Sequence, residues 1–240
     1  MSEKNQDKTA DVLREFFKQW PTFYYGVAVI FAPVYLGYMS PRQFLNKFFP
    51  HEVGGRMLLN LGSGPRTVRK DVVNVDIYPY ESVSTVASLT SLPFKDGDVD
   101  GFICDNVLEH VENPERAVSE MKRIMKTGAM GYISTPFQYP FHSSPSDYTR
   151  WTEPGLRLLL KDFAIVEIGA RAGYFSTLTV VLCYGVPALL SFGSERLYWT
   201  LLNLSLLIFF PLKFLDVIGN RLPLAIHTAS VFYYVIRKRP

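Results

Sequence analysis

Cysteine is scarce: the 240 residues hold two, Cys104 and Cys183. They lie far apart, without the spacing of a metal knuckle or a disulfide framework, so both read as free thiols in a reducing compartment and no metal is expected. Histidine is scarce as well, with four, and His51 and His227 fall in no pattern and receive no role. Charge of one sign is also lacking. The formal net charge is +3 and no basic block precedes Arg237-Lys238-Arg239, so the electrostatic track of a nucleic-acid binder is missing and no nucleic-acid partner is expected. Two glycine signals are absent too. No third glycine follows Gly62 and Gly64 at dinucleotide-binding spacing, and no Gly-Lys-Ser/Thr closes that turn. Neither the dehydrogenase fingerprint nor the phosphate loop of nucleotide hydrolases is satisfied.

What is present in excess is apolar side chain. Mean hydropathy is +0.08 with 15% aromatics, more than a soluble enzyme of this size needs, and the surplus sits at 20–39 and 172–215. Before the first of these, Val12, Leu13, Phe16, Phe17 and Trp20 recur at helical spacing and predict an amphipathic helix. The stretch 23–38 is broken by Gly26, Pro33 and Gly37 and reads as a buried or interface-lying helix rather than a span.

From Arg56 onward, short β-branched runs alternate with helical patterns, the signature of strand-helix-strand units on a parallel sheet. Strands are predicted at 57–60, 72–75, 83–86, 99–104, 129–134, 163–168 and 230–236. A helix capped by Asn113 and opened by Pro114 runs, with Ala117, Val118, Met121, Ile124 and Met125 inward, until Gly128 ends it. A second covers 153–160.

Leu58-Leu59-Asn60-Leu61 runs into Gly62-Ser63-Gly64, a turn whose missing side chains let backbone amides approach a ligand. A plain structural turn has the same composition. Asp76 closes the second strand, at the edge where a parallel sheet meets its ligands, and its carboxylate suits a pair of ribose hydroxyls; the alternative is a solvated turn acid before Tyr78-Pro79. Glu109 and His110 fall near the same edge. His110 is placed to take a proton from an acceptor, or both cap the helix from Asn113. The segment Phe137 to Trp151 is too rich in aromatic and polar groups for a connector, and it offers His142 as a base, Asp147 to orient it, the Tyr148 hydroxyl and the Arg150 cation. Asp147 and Arg150 pairing merely to brace the loop is the other reading.

In order, Leu-Asn-Leu-Gly-Ser-Gly-Pro, Asn-Val-Asp-Ile, Leu92-Pro93-Phe94, Asp105-Asn106-Val107-Leu108-Glu109-His110-Val111 and Arg123-Ile124-Met125-Lys126-Thr127-Gly128-Ala129 resemble the class I S-adenosylmethionine-dependent methyltransferases. The likeness is greatest to the UbiE-type and sugar-modifying branch, which carries a stretch similar to 142–152. The resemblance implies a Rossmann-like, seven-stranded, mostly parallel α/β sheet and S-adenosylmethionine as cofactor. It implies that Gly62, Ser63 and Gly64 face the methionine part, that Asp76 with Ile77 holds the ribose, that Ser88 and Leu89 border adenine, and that Asp105, Asn106 and Val107 line the donor methyl. Relatives often carry aspartate at the position of Ser88. The link from Gly64 to Asp76 is short, so a clipped first helix is expected.

The largest departure is an insertion of about fifty residues between the sixth and seventh strands, which this fold usually joins directly. Two uncharged arms, 172–194 and 197–212, flank Glu195-Arg196, with Arg171, Lys213 and Arg221 at the base. Pro187 and Pro211 interrupt the arms and the second is short for a span, so an in-plane or re-entrant hairpin on the cytoplasmic face of a membrane is expected. A helical pair buried in a homodimer is the alternative. The expected organisation is an N-terminal helical segment 1–52, a core 53–171, the hairpin 172–222 and a final strand within 223–240. The expected activity is methyl transfer to a hydrophobic or lipid-linked acceptor, such as a polyprenyl-carried sugar or a quinone precursor. Two rivals are a non-catalytic scaffold with the same fold and a soluble homodimeric enzyme.

Overall fold

The computed structural model describes residues 30–35, 37–50, 55–142, 146–222 and 224–240. The amphipathic stripe at 12–20 and most of the apolar stretch after it lie outside these residues.

Short β-branched runs buried on both faces dictate the centre of the molecule. Strands β1 (Leu58–Leu61), β2 (Val72–Asp76), β3 (Thr85–Val86), β4 (Val99–Asp105), β5 (Met125–Pro136), β6 (Phe163–Ala172) and β7 (Val231–Lys238) form one sheet in the order β3-β2-β1-β4-β5-β7-β6. The pairings among β1 to β5 are parallel, whereas β7 runs antiparallel to both β5 and β6. The predicted seven-stranded, mostly parallel α/β sheet is therefore present. Alternation along the strands sorts side chains to two faces. Leu59, Phe102, Ile133 and Tyr234 join one cluster, and Leu58, Ile103, Tyr132 and Val235 the other.

Each face is covered by a capped helix. On one, α1 (Pro41–Phe48) is closed by a capping box between Ser40 and Gln43, and it lays Phe44 and Leu45 on Tyr132 and Ile103. On the other, α2 (Pro114–Ile124) starts where Asn113 accepts from the Arg116 amide at 3.0 Å, and α3 (Glu153–Leu159) follows the cap of Thr152. The end of α2 differs from expectation. Met125 leaves the helix to pair with Val99, so the strand begins four residues early and Gly128, at φ +79°, lies within β5. Sheet pairing here overrides a helical apolar pattern. From α2, Arg123 holds the stretch before β4 by donating to the Leu92 and Phe94 carbonyls, Asp96 and Glu120.

The insertion is a helical hairpin, α4 (Tyr174–Leu190) and α5 (Glu195–Phe209), packed on each other and followed by 3-10 and helical turns to Gly219. From Glu195 to Gly219 the helical run is 25 residues, long and apolar enough by composition to cross a membrane. Its last part is fastened to the core. Asp216, fully buried, accepts from the amides of Gly173, Phe175 and Ser176 at 2.9–3.0 Å and so caps α4. Lys213 is buried too, donating to the carbonyls of Ile30 and Ala32. Two of the three cations expected to flank a membrane are thus internal, since Arg171 is also buried. Neither is placed to mark the cytoplasmic side of a membrane. The free arms expose Leu189 at 77%, Phe192 at 88% and Ile208 at 66%.

Candidate functional site

The carboxyl ends of β1 to β6 share one edge of the sheet, and the candidate cofactor residues, with Ser88 and Leu89 just past β3, lie on or beside that edge. At β1 the chain turns through Gly62 (φ +68°) and Gly64 (φ +55°), in the left-handed region that glycine occupies without strain. The two glycines do different jobs. A Cβ on Gly62 would lie 2.5 Å from both Val107 methyls, whereas a Cβ on Gly64 would meet nothing within 4 Å. Gly62 is where Val107 packs; Gly64 fronts open space.

Asp76 converges on that turn. One carboxylate oxygen accepts the Gly64 amide at 2.8 Å and the other the Tyr78 amide at 2.9 Å. The turn is further tied to β2 through the Val75 carbonyl, which takes the amides of Gly62 and Ser63 at 2.8 and 3.2 Å. Each carboxylate oxygen of Asp76 keeps a second lone pair for a ligand hydroxyl. Ile77, next along, is half exposed and forms an apolar ledge beside it. The residues between Gly64 and the start of β2 form turns and bends and no helix at all, a stronger departure than the clipped helix expected. No helix dipole backs the turn, and Arg66 supplies positive charge there instead. The Ser88 hydroxyl meets that of Thr90 at 2.9 Å, and the Leu89 side chain is packed in the core.

At the end of β4, Asp105 takes hydrogen bonds from the Ser134 hydroxyl of β5 and pairs with Arg171, which reaches over from β6 and also donates to Ser134 at 3.0 Å. Burial lowers the pKa of Arg171 first and the charge of Arg66 second; the Asp105 carboxylate in contact opposes both, and the guanidinium stays charged. Asn106 follows in a left-handed conformation (φ +54°), its amide on the Ser134 carbonyl at 3.0 Å. Its side-chain oxygen is buried without a partner among the described residues. Sequence reasoning missed Arg171 and Ser134. Only the antiparallel placement of β7, which makes β6 parallel to β5, brings position 171 to this edge.

The remaining candidate residues form a second group. Glu109 is 0% exposed, neither carboxylate oxygen has a hydrogen-bond partner among the described residues, and burial pushes its pKa up to about 8. It does not cap α2, which Asn113 does. The Glu109 carbonyl instead takes the Tyr148 amide at 2.8 Å, pinning the segment after β5. His110 Nε2 is 3.7 Å from Glu109, and its Nδ1 contacts the Ser146 carbonyl. The His142 ring stands edge-on to that of His110 with centroids 5.0 Å apart. Its Nδ1 is 3.4 Å from Asp147, and desolvation lowers its pKa, which favours the neutral imidazole. Asp147 is also clasped by both terminal nitrogens of Arg150, which holds its carboxyl down at about 2. Bracing and orienting are thus one arrangement. Tyr148 stands 54% exposed beside them.

Residues 54–133 match the family model described as "Methyltransferase domain". A protein named as an uncharacterized methyltransferase from Mycobacterium sp. (strain KMS) is 34% identical over 116 residues, covering 41% of this chain and 46% of that protein. The chain thus spans about half the length of the curated relatives it matches. Among solved structures, Haemonchus contortus phosphoethanolamine N-methyltransferase 2 in complex with S-adenosyl-L-methionine superposes with a TM-score of 0.53. It is 14% identical, with 95% of this chain and 60% of that one covered. The cyclase SpnF superposes with a TM-score of 0.50 at 14% identity, over 82% of this chain and 79% of that one. The shared fold therefore hosts more than one kind of chemistry, and the reaction has to be argued from the site.

Proposed function

From a chain whose residues 54–133 match a methyltransferase domain, we infer that the protein moves a methyl group from S-adenosylmethionine to a hydrophobic or lipid-linked small molecule at a membrane surface. One observation carries the reading: the 2.8 Å bond between the Gly64 amide and Asp76, beside open space over Gly64. It joins a closely approachable backbone to a carboxylate with lone pairs to spare, the two features an adenosyl ribose needs. The unpartnered Asn106 oxygen supports the same fit.

Bound there, the sulfonium cofactor supplies a methyl group already activated for in-line transfer. The chain's own work is to position and to exclude water. Gly62 to Gly64 and Asp76 hold the cofactor, Ile77 gives it an apolar ledge, and Asp105, fixed by Ser134 and Arg171, borders the reacting end. His142, kept neutral by desolvation, or His110 takes the acceptor proton, with Asp147 orienting His142 and Tyr148 lining the entry.

The apolar hairpin supports a lipid-linked acceptor, such as a polyprenyl-carried sugar or a quinone precursor. With Asp216 and Lys213 anchored, the free arms are α4 with 17 residues and α5 with 15. At about 1.5 Å per residue they reach roughly 22–26 Å, short of the roughly 30 Å hydrocarbon layer, which favours a re-entrant or in-plane hairpin. The test is a labelled-methyl assay on membrane extracts. Wild type labels an extractable lipid. Asp76→Ala loses both S-adenosylhomocysteine binding and labelling, and His142→Ala keeps binding while losing about 100-fold in rate. A wild-type protein that binds no cofactor is a scaffold; one that labels only water-soluble compounds and forms a detergent-free dimer refutes the membrane acceptor.

A further inference from the structure

We propose that Glu109, His110 and His142 form a binding site for a divalent first-row transition cation. One ligand atom from each lies within 4.8 Å of the other two. His110 Nε2 and Glu109 Oε1, at 3.7 Å, are close to the roughly 3.4 Å edge of a tetrahedron with bonds of about 2.1 Å. A small inward movement closes the set.

Three further observations point to a cation rather than to a loop contact. The Glu109 carboxylate is fully buried, with neither oxygen bonded among the described residues, and a buried carboxylate is expensive unless paired or on a metal. Both imidazoles have the second nitrogen occupied in the manner of ligating histidines. His110 Nδ1 meets the Ser146 carbonyl, and His142 Nδ1 lies 3.3 Å from the Pro140 carbonyl and 3.4 Å from Asp147. Such outer contacts fix the ring and leave Nε2 to bind. Finally, the local charge is suitable. Arg150 stands 3.4 Å from His142 Nδ1, but Asp147 neutralises it, so with neutral imidazoles the one negative charge of the cluster is that of Glu109 once a cation has displaced its proton.

Two imidazoles and one carboxylate suit zinc, iron, cobalt or nickel better than the all-oxygen cages of calcium and magnesium. Three protein ligands leave positions open to water or to an oxygen of the acceptor; with the ion bound neither histidine is free to take a proton, and that role would pass to a metal-held water. Only that last consequence rests on methyl transfer; cation binding does not. No local spacing hints at it, because the third ligand comes from a different segment 32 positions after His110.

The experiment uses the full chain, stripped with a chelator and titrated with Co(II) followed by visible absorption, with Zn(II) counted by equilibrium dialysis. S-adenosylhomocysteine binding is measured in parallel by calorimetry. We expect one ion per chain, ligand-field bands in the Co(II) form, and affinity at least about 100-fold weaker in Glu109→Gln and His142→Ala. His227→Ala, at an exposed position, leaves it unchanged. His142 sits on a partly exposed segment, so its variant stays folded even if Glu109→Gln does not. A wild type that takes up no ion, or variants that bind as wild type does, overturns the site. Loss of cofactor binding with metal binding intact would instead refute methyl transfer alone.

Discussion

Replacing Gly62 and Gly64 separately by alanine tests the division of labour within the turn. At Gly64 an alanine must adopt φ +55°, which costs about 1–2 kcal/mol for an L residue, but it meets no atom within 4 Å. The fold should therefore lose only that amount. The new methyl occupies the space a ligand needs. Shifting an adenosyl group away from Asp76 forfeits one charge-assisted hydrogen bond, about 1.5–3 kcal/mol, or roughly 10- to 150-fold in affinity. At Gly62 the same strain applies, and the added carbon overlaps both Val107 methyls at 2.5 Å. Overpacking adds about 1–3 kcal/mol, for a total of about 2–5 kcal/mol. Urea denaturation gives the two stabilities, and calorimetric titration with S-adenosylhomocysteine gives the affinities. If Gly64→Ala binds like wild type, or Gly62→Ala is no less stable than Gly64→Ala, the assignment of the open side of the turn to a ligand is refuted.

Arg171→Ala strands Asp105 without its cation and should cost about 3–5 kcal/mol in denaturant unfolding; a loss below about 1 kcal/mol would show that the pair is not formed. Arg123 holds the Glu120 carboxyl down at about 2, aided by the Leu92 amide. A depressed carboxyl stabilises the fold above its unfolded pKa and loses that effect as pH falls towards 2. Glu120→Gln should then be about 1–2 kcal/mol less stable at pH 7, solvent screening allowed for, with the gap closing below pH 3; a gap constant with pH would contradict this. Leu189→Glu with Ile208→Glu, both at strongly exposed positions, should abolish flotation with liposomes while leaving melting temperature and cofactor binding as in wild type. Unchanged flotation would argue against the hairpin as a membrane contact.

Most of the sheet was legible because a strand buried on both faces reads as a short, mostly apolar run. The strands at 72–75 and 99–104 can be read from that texture alone, and each ends one residue later in the structure. The boundary at Met125 was not legible, since its apolar side chain fits the α2 stripe as well as β5, and only pairing with Val99 decides. At the site, Gly64 and Asp76 could be read because both lie at strand ends, where position along the chain gives position in space. The burial of the Leu89 side chain could not be read, because the sequence does not say which way a loop leucine points. Arg171 was misread for a related reason: a cation before an apolar stretch looks like a membrane flank unless one knows that a carboxylate from β4 stands within its reach. Glu109 and His142 met only through the folding back of the segment after β5, a contact that no local spacing records.

Residues 171–173 belong at once to the crevice and to the hairpin. Arg171 grips Asp105, its carbonyl receives Asn220 at 3.1 Å, and Gly173 is hooked by Asp216 two residues later. This stiff joint sets a fixed stand-off between the greasy prongs and the reactive pocket, as the shank of a gauge sets its depth. Lengthening the strand at that joint by two residues would preserve both ends yet change how far the exposed apolar arms stand from the crevice.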